Sequence, residues 1–155
     1  MNNRKVYISG DIVPEVDAKI SIFDSAVLLG DTVTESTRTF NFKPFKLDEH
    51  LERLYKSFKL TRIDPQMTIE EMKKVSLELL EINKDNYKAN EDCWLVHNIS
   101  RGHSITGGNP ALQVSKPTVM IYTQPMNLVL WAPFYTKGCH AVTPPTRMVP
   151  SQSLD

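Results

Sequence analysis

The residues best suited to chemistry lie between Ser21 and Ser57, and Arg53 stands out among them by its position. Leu47, Leu51, Leu54, Tyr55 and Phe58 fall on one stripe when the chain turns by about 100° per residue, so the spacing predicts a helix. His50, Arg53 and Ser57 form a line flanking that stripe, while Glu52 and Lys56 face away. Arg53 is thereby set at the edge of the core, where a basic side chain is partly buried and aimed. A guanidinium is always charged, and its planar fork of donors matches phosphate oxygens. On spacing alone the simpler reading is an ion pair with Glu49, one helical turn earlier.

Other groups say less. Glu35 and Arg38 are three apart in the Thr- and Val-rich run from Val33 to Phe40. A strand there puts them on opposite faces, so they are not a simple pair. Gly30 and Asp31 read as the turn entering that strand. His50 reads as a helix-packing residue. His50, His97, His103 and His140 are scattered without ligand spacing, and no metal site is expected. The sequence holds no Walker A loop, no G-x-G-x-x-G after a strand, no H-E-x-x-H and no G-x-S-x-G elbow.

The elements that must position these residues read as mixed α and β. Val6–Ser9 is a short strand, with turn chemistry at Gly10-Asp11. Lys19–Phe23 alternates polar and apolar, as a half-buried strand does. After the Val33–Phe40 strand, Asn41–Pro44 is a turn and Phe45-Lys46-Leu47 the returning arm of a hairpin. Asp48 is placed to cap the helix that carries Arg53, and Asp64-Pro65 ends it. Thr68 to Glu71 is a capping box opening a second helix with Met72, Val75, Leu79 and Leu80 inward. Trp94–Ser100 and Thr118–Thr123 are strands, and His103–Ser115 is a loop long enough to be functional. Trp131–Gly138 reads as a helical turn and Cys139–Thr143 as a last strand.

The totals exclude several classes. Lys plus Arg (18) balance Asp plus Glu (18) over 155 residues, so no net field favours nucleic acid or an anionic membrane. Neither a signal peptide nor an apolar span is legible. Cys93 and Cys139 read as free thiols of a reducing compartment, and a cytoplasmic location is expected.

Three runs carry a resemblance. They are Ser21-Ile22-Phe23-Asp24-Ser25-Ala26, Leu29-Gly30-Asp31-Thr32-Val33-Thr34-Glu35-Ser36-Thr37-Arg38, and Lys43-Pro44-Phe45 through His50-Leu51-Glu52-Arg53-Leu54-Tyr55-Lys56-Ser57. Together they resemble the N-terminal signature of class IV aminotransferases, the branched-chain and D-amino-acid type that uses pyridoxal 5′-phosphate (PLP). That signature orders an Asp, a Gly-Asp-Gly-like turn, a Phe-Glu pair, an Arg, a Pro-Phe and a His-x-x-Arg-Leu-x-x-Ser helix. Any one of these alone is weak; their common order is specific.

The resemblance implies an α+β fold. It would be a small N-terminal two-layer α/β domain over residues 1–125, then an interdomain segment and the first strand of a large domain over 126–155. It assigns Arg53 to the PLP phosphate. It makes Leu29, Thr34, Arg101 and His103 substrate-pocket candidates. The sequence departs from the signature at Thr32, where the second Gly stands, at Thr34, where the aromatic of the Phe-Glu pair stands, and at Leu29, where a Tyr often stands. Those aromatics line the apolar pocket of branched-chain enzymes. The Arg and His that hold the substrate carboxylate in D-amino-acid enzymes find no match between His103 and Asn109. The substrate therefore stays open.

The implied activity is amino transfer between an amino acid or amine and a 2-oxo acid, in a homodimer. The Schiff-base lysine is expected beyond Asp155, so no catalytic residue is assigned here and these 155 residues are expected to be inactive alone. Lys116 and Lys137 read as solvated loop residues. The alternatives are an aminodeoxychorismate lyase-like PLP enzyme and a non-catalytic self-associating domain.

Overall fold

Two hairpins with tight turns start the architecture. Lys5–Ile8 (β1) and Asp11–Pro14 (β2) pair antiparallel, with Ile8 opposite Asp11. The two residues between them, Ser9 and Gly10, have φ of 46° and 118°. Positive φ at both loop positions is what a tight hairpin turn needs, and glycine meets it without strain. Thr32–Phe40 (β3) and Lys43–Pro44 (β4) repeat the device at Asn41 and Phe42, at φ 50° and 61°. Neither is glycine. The Asp92 carboxylate holds that turn by accepting from the Phe42 N–H at 3.1 Å, and the Phe42 ring packs on Tyr87.

The structure, a computed structural model, describes residues 3–88, 91–103 and 116–146. Cys93–Ser100 (β5) and Thr118–Pro125 (β6) complete a six-stranded sheet in the order β2-β1-β6-β5-β3-β4, every pairing antiparallel. Leu47–Thr61 (α2) packs on β3, and Ile69–Asn83 (α3) packs on α2, β1 and β6. Both helices cover one face. The core between them joins Leu47, Leu51, Leu54 and Phe58 of α2 and Met72, Leu79 and Leu80 of α3 to Val33, Leu95, Ile99 and Ile121 of the sheet. Alternation along β3 sends Val33, Glu35, Thr37 and Thr39 to the helix face, where all four are buried. The α+β expectation and its two-layer arrangement hold.

The helix stripe and the capping box stand as read. Thr68 accepts from the Glu71 N–H, and the Glu71 side chain accepts from the Thr68 N–H. The end of α3 is pinned by Asn83, wholly buried, which accepts from the Lys5 N–H at 2.7 Å and donates to the Lys5 carbonyl at 2.9 Å.

Other expectations are corrected. Lys19–Phe23 is not a strand. Ser21 accepts from the Phe23 N–H, and Asp24 caps a short helix, Ser25–Leu29 (α1), by accepting from the Ala26 N–H. Local side-chain bonds won over an alternating pattern of which two apolar members, Ile22 and Phe23, stay exposed and only Ile20 is partly buried. The returning arm of the second hairpin is only β4, because Lys46 turns left-handed (φ 54°) and starts α2. Lys46 is therefore the cap position, and Asp48 lies in the first turn, where its charge suits the positive helix end. Leu128–Lys137 (α4) is a full helix rather than a turn, and none of its residues is buried. Cys139–Thr143 forms no strand.

Leu51 is fully buried between α2 and the sheet. Leu51→Ala is expected to cost about 2–5 kcal/mol of unfolding free energy in urea titration, and a loss under about 1 kcal/mol would mean that this stripe is not the core contact.

Candidate functional site

The centre of the candidate site is a carboxylate where alternation calls for a core residue. Glu35 on β3 is 6% exposed beneath α2. It is fully satisfied there. Arg53, two turns into α2, donates from Nε to Oε2 and from Nη2 to Oε1, both at 2.7 Å. His50, one turn earlier on the same face, brings Nδ1 to Oε1 at 2.9 Å, and since a carboxylate only accepts, that nitrogen carries the proton. The Ser36 N–H donates to Oε1 at 3.0 Å. The helical spacing of His50 and Arg53 sets both over one oxygen, and their nitrogens stand 3.3 Å apart.

Burial by itself would push the Glu35 carboxyl up. The hydrogen bonds from Arg53, His50 and Ser36 outweigh it and hold the group at about 2, against an ordinary 4.5. Directly across the strand pair from Glu35 is His97 of β5, wholly buried. Ser76 of α3 gives its hydroxyl proton to the Met72 carbonyl at 2.7 Å, so His97 Nε2 is the donor in its 2.8 Å bond to Ser76. Nδ1 is left as an acceptor, buried and with no partner among the described residues. Burial pushes this imidazole down to about 4, with the Glu35 charge opposing. His97 is thus neutral at physiological pH, and the charged partner of Glu35 is Arg53.

Arg53 itself is 66% exposed on its side chain. Its partner is neither solvent alone nor Glu49, which lies 3.5 Å from Lys46 instead. With Nε and one Nη2 proton on Glu35, the remaining edge of the guanidinium has no hydrogen-bond partner among the described residues. That edge is a ready anion donor.

The other candidates are placed as follows. Leu29 ends α1 and is exposed. The backbone of Asp24 pairs with that of His103, the Ser25 N–H donates to the Gly102 carbonyl, and the His103 ring meets Phe23 edge-on at 5.9 Å. Leu29 and His103 therefore belong to one end of the sheet. Arg101 stands at that end too. Its Nε donates to Asp31 at 2.8 Å, and its two terminal nitrogens donate to the Arg62 and Thr61 carbonyls at 2.7 and 3.0 Å. Arg101 thus closes the C-terminal end of α2. Thr34 is exposed on the sheet face opposite to Glu35, so the sheet separates it from Arg53. Arg38 shares that opposite face and lies 3.8 Å over the Phe40 ring. Residues 104–115 of the long loop lie outside the described residues. Among the described residues no cluster of His, Cys, Asp or Glu could hold a metal ion, and no helix is long and apolar enough to cross a membrane.

Sequence reasoning missed Glu35 as a partner and His97 as the residue beneath it. A signal existed: a Glu at an inward strand position and a basic residue on a helix flank each need a counter-charge.

The amino-transferase class IV family model matches residues 32–154. A Methanocaldococcus jannaschii protein named as a branched-chain-amino-acid aminotransferase candidate is 36% identical over 151 residues, covering 97% of this chain and 49% of its own length. The D-alanine aminotransferase of Staphylococcus epidermidis is 32% identical over 120 residues, covering 77% of this chain and 41% of its own. The solved T.th. branched-chain amino acid aminotransferase with pyridoxamine 5′-phosphate superposes with TM-score 0.69 at 25% identity, over 82% of this chain and 42% of that one. The chain thus spans half or less of the length of these relatives.

Two tests follow from the geometry. Glu35 is depressed in the fold from 4.5 to about 2, and His97 from 6.5 to about 4. A depressed group stabilises above its unfolded value and loses that contribution as pH falls through its folded value. Unfolding free energy should therefore fall first between about pH 6.5 and 4, from His97, and again between about 4.5 and 2, from Glu35, the latter by on the order of 3 kcal/mol. Urea titrations across pH should show Glu35→Gln flattening only the lower window. Arg101→Ala should cost about 1–3 kcal/mol through the stranded Asp31 and the open helix end, read from the same unfolding curves.

Proposed function

Because the chain belongs to the amino-transferase class IV family, we propose that it supplies the N-terminal, phosphate-holding portion of a PLP-dependent transaminase. The transfer would run between an amino acid or amine and a 2-oxo acid. The observation that carries this reading is Arg53, an exposed guanidinium held by one edge with its other edge toward solvent. The donor chemistry fits a phosphate ester: a planar, permanently charged fork flanked by the His50 imidazole. When bound, PLP supplies the ring that acts as an electron sink for amino transfer. Arg53 holds the phosphate, and His50 and Glu35 stand behind it.

The Schiff-base lysine and the carboxylate for the pyridine nitrogen are assigned to positions beyond Asp155, so the 155 residues alone are proposed to be inactive. We place the limit of the small domain at residues 1–125. Of the pocket candidates, Leu29 and His103 gain support from sharing one end of the sheet. Arg101 would have to leave Asp31 to meet a substrate carboxylate. A homodimer is supported by the exposed apolar side chains of Ile22, Phe23, Val27, Leu28 and Leu29 and of α4. The free thiols Cys93 and Cys139 accord with a cytoplasmic location.

Titrating the intact protein with PLP, followed by absorbance, tests the central residue. Arg53→Ala is expected to weaken PLP binding by about 10- to 100-fold, the worth of charged hydrogen bonds. Unchanged affinity would sink the assignment. Borohydride reduction and peptide mapping should put the reduced adduct on a lysine beyond Asp155, and an adduct within these residues would overturn that placement.

A further inference from the structure

We infer that Glu35 is a positioning residue: it grips one edge of the Arg53 guanidinium so that the opposite edge meets a phosphate in a fixed plane. This rests on the reading of Arg53 as the phosphate holder. Two bonds of 2.7 Å from Nε and Nη2 fix both the direction and the roll of a planar group. One bond would leave it free to turn.

The carboxylate is itself immobilised. His50 Nδ1 and the Ser36 N–H both donate to Oε1, and β3 and β5 lock the backbone beneath it. On its core side stands His97, neutral above about pH 4 and tied to Ser76, so no cation on that side draws the carboxylate away from Arg53.

Stability alone does not account for the geometry. The depressed Glu35 carboxyl means that the ionised group contributes to the fold, but an apolar side chain packed under α2 often stabilises as well as a buried ion pair and leaves the arginine its side-chain freedom. What the arrangement delivers is orientation, and it does so at a cost to anion attraction, since Glu35 adds a negative charge behind the phosphate. That cost sets the sign of the test. If Glu35 merely neutralised Arg53, removing its charge would tighten phosphate binding. If it positions Arg53, removing it weakens phosphate binding despite the extra positive charge.

The phosphate contribution is the ratio of the dissociation constants for pyridoxal and for PLP, measured by titrating the intact protein. Glu35→Gln is expected to reduce that ratio by about tenfold or more, with pyridoxal affinity unchanged, because a general loss of structure would weaken both ligands alike. Glu35→Asp keeps the charge and draws the carboxylate back by one carbon. It should also reduce the ratio, and it carries the test if the Gln variant does not fold. A ratio unchanged or raised in both variants, while Arg53→Ala abolishes it, would overturn the role of Glu35 and leave Arg53 standing. A ratio untouched by Arg53→Ala would overturn the phosphate reading and this inference with it. In the wild-type protein, nitrogen-15 NMR should find rotation about the Arg53 Nε–Cζ bond hindered, and free rotation would contradict the positioning role.

Discussion

A carboxylate buried under a helix obliges its surroundings to satisfy it. Glu35 has four hydrogen bonds on two oxygens, from Arg53, His50 and the Ser36 backbone. Helix α2 cannot slide by a turn along β3 without stranding that charge in an apolar layer, a far larger penalty than a shifted leucine. The apolar stripe of α2 decides which face meets the sheet. Glu35 decides the register along it, and so where Arg53 emerges.

A second ionic joint holds the end of the same helix. Arg101, leaving β5, binds the last carbonyls of α2 and the Asp31 carboxylate before β3. One side chain thus ties together the exit of one strand, the entrance of another and a helix terminus. The Asp24–His103 bridge and the Ser25–Gly102 bond continue that joint into α1. Leu29 and His103 inherit their placement from it. The two joints fix α2 at its middle and its end, which is what a helix presenting an anion-binding arginine requires.

Beyond this joint the surface changes character. The helix α4 is apolar yet has no buried residue, and α1 exposes Val27, Leu28 and Leu29. The core closed by α2 and α3 on one sheet face does not extend to these elements, which accords with a chain that spans about half of its relatives' length.

Much of this was legible in the residues because the signals were local. The stripe of α2, the capping box at Thr68 and the β-rich runs of β3, β5 and β6 each follow from spacing within a few residues. The family signature lay within Asp24–Ser57, and Arg53 could be singled out from it. Where expectation failed, local signals competed. Ser21 and Asp24 turned an alternating segment into a helix entrance, and left-handed Lys46 began α2 where a strand was expected. Periodicity also put Arg53 on a helix flank and Glu35 on the strand face opposite to Arg38, but it could not say that Arg53 and Glu35 meet. They are eighteen residues apart and joined only by packing α2 on β3. The sequence by itself determined which side chains had to be buried and which could carry charge. Only the tertiary structure decided their partners, because a hydrogen bond depends on the distance between atoms that folding brings together.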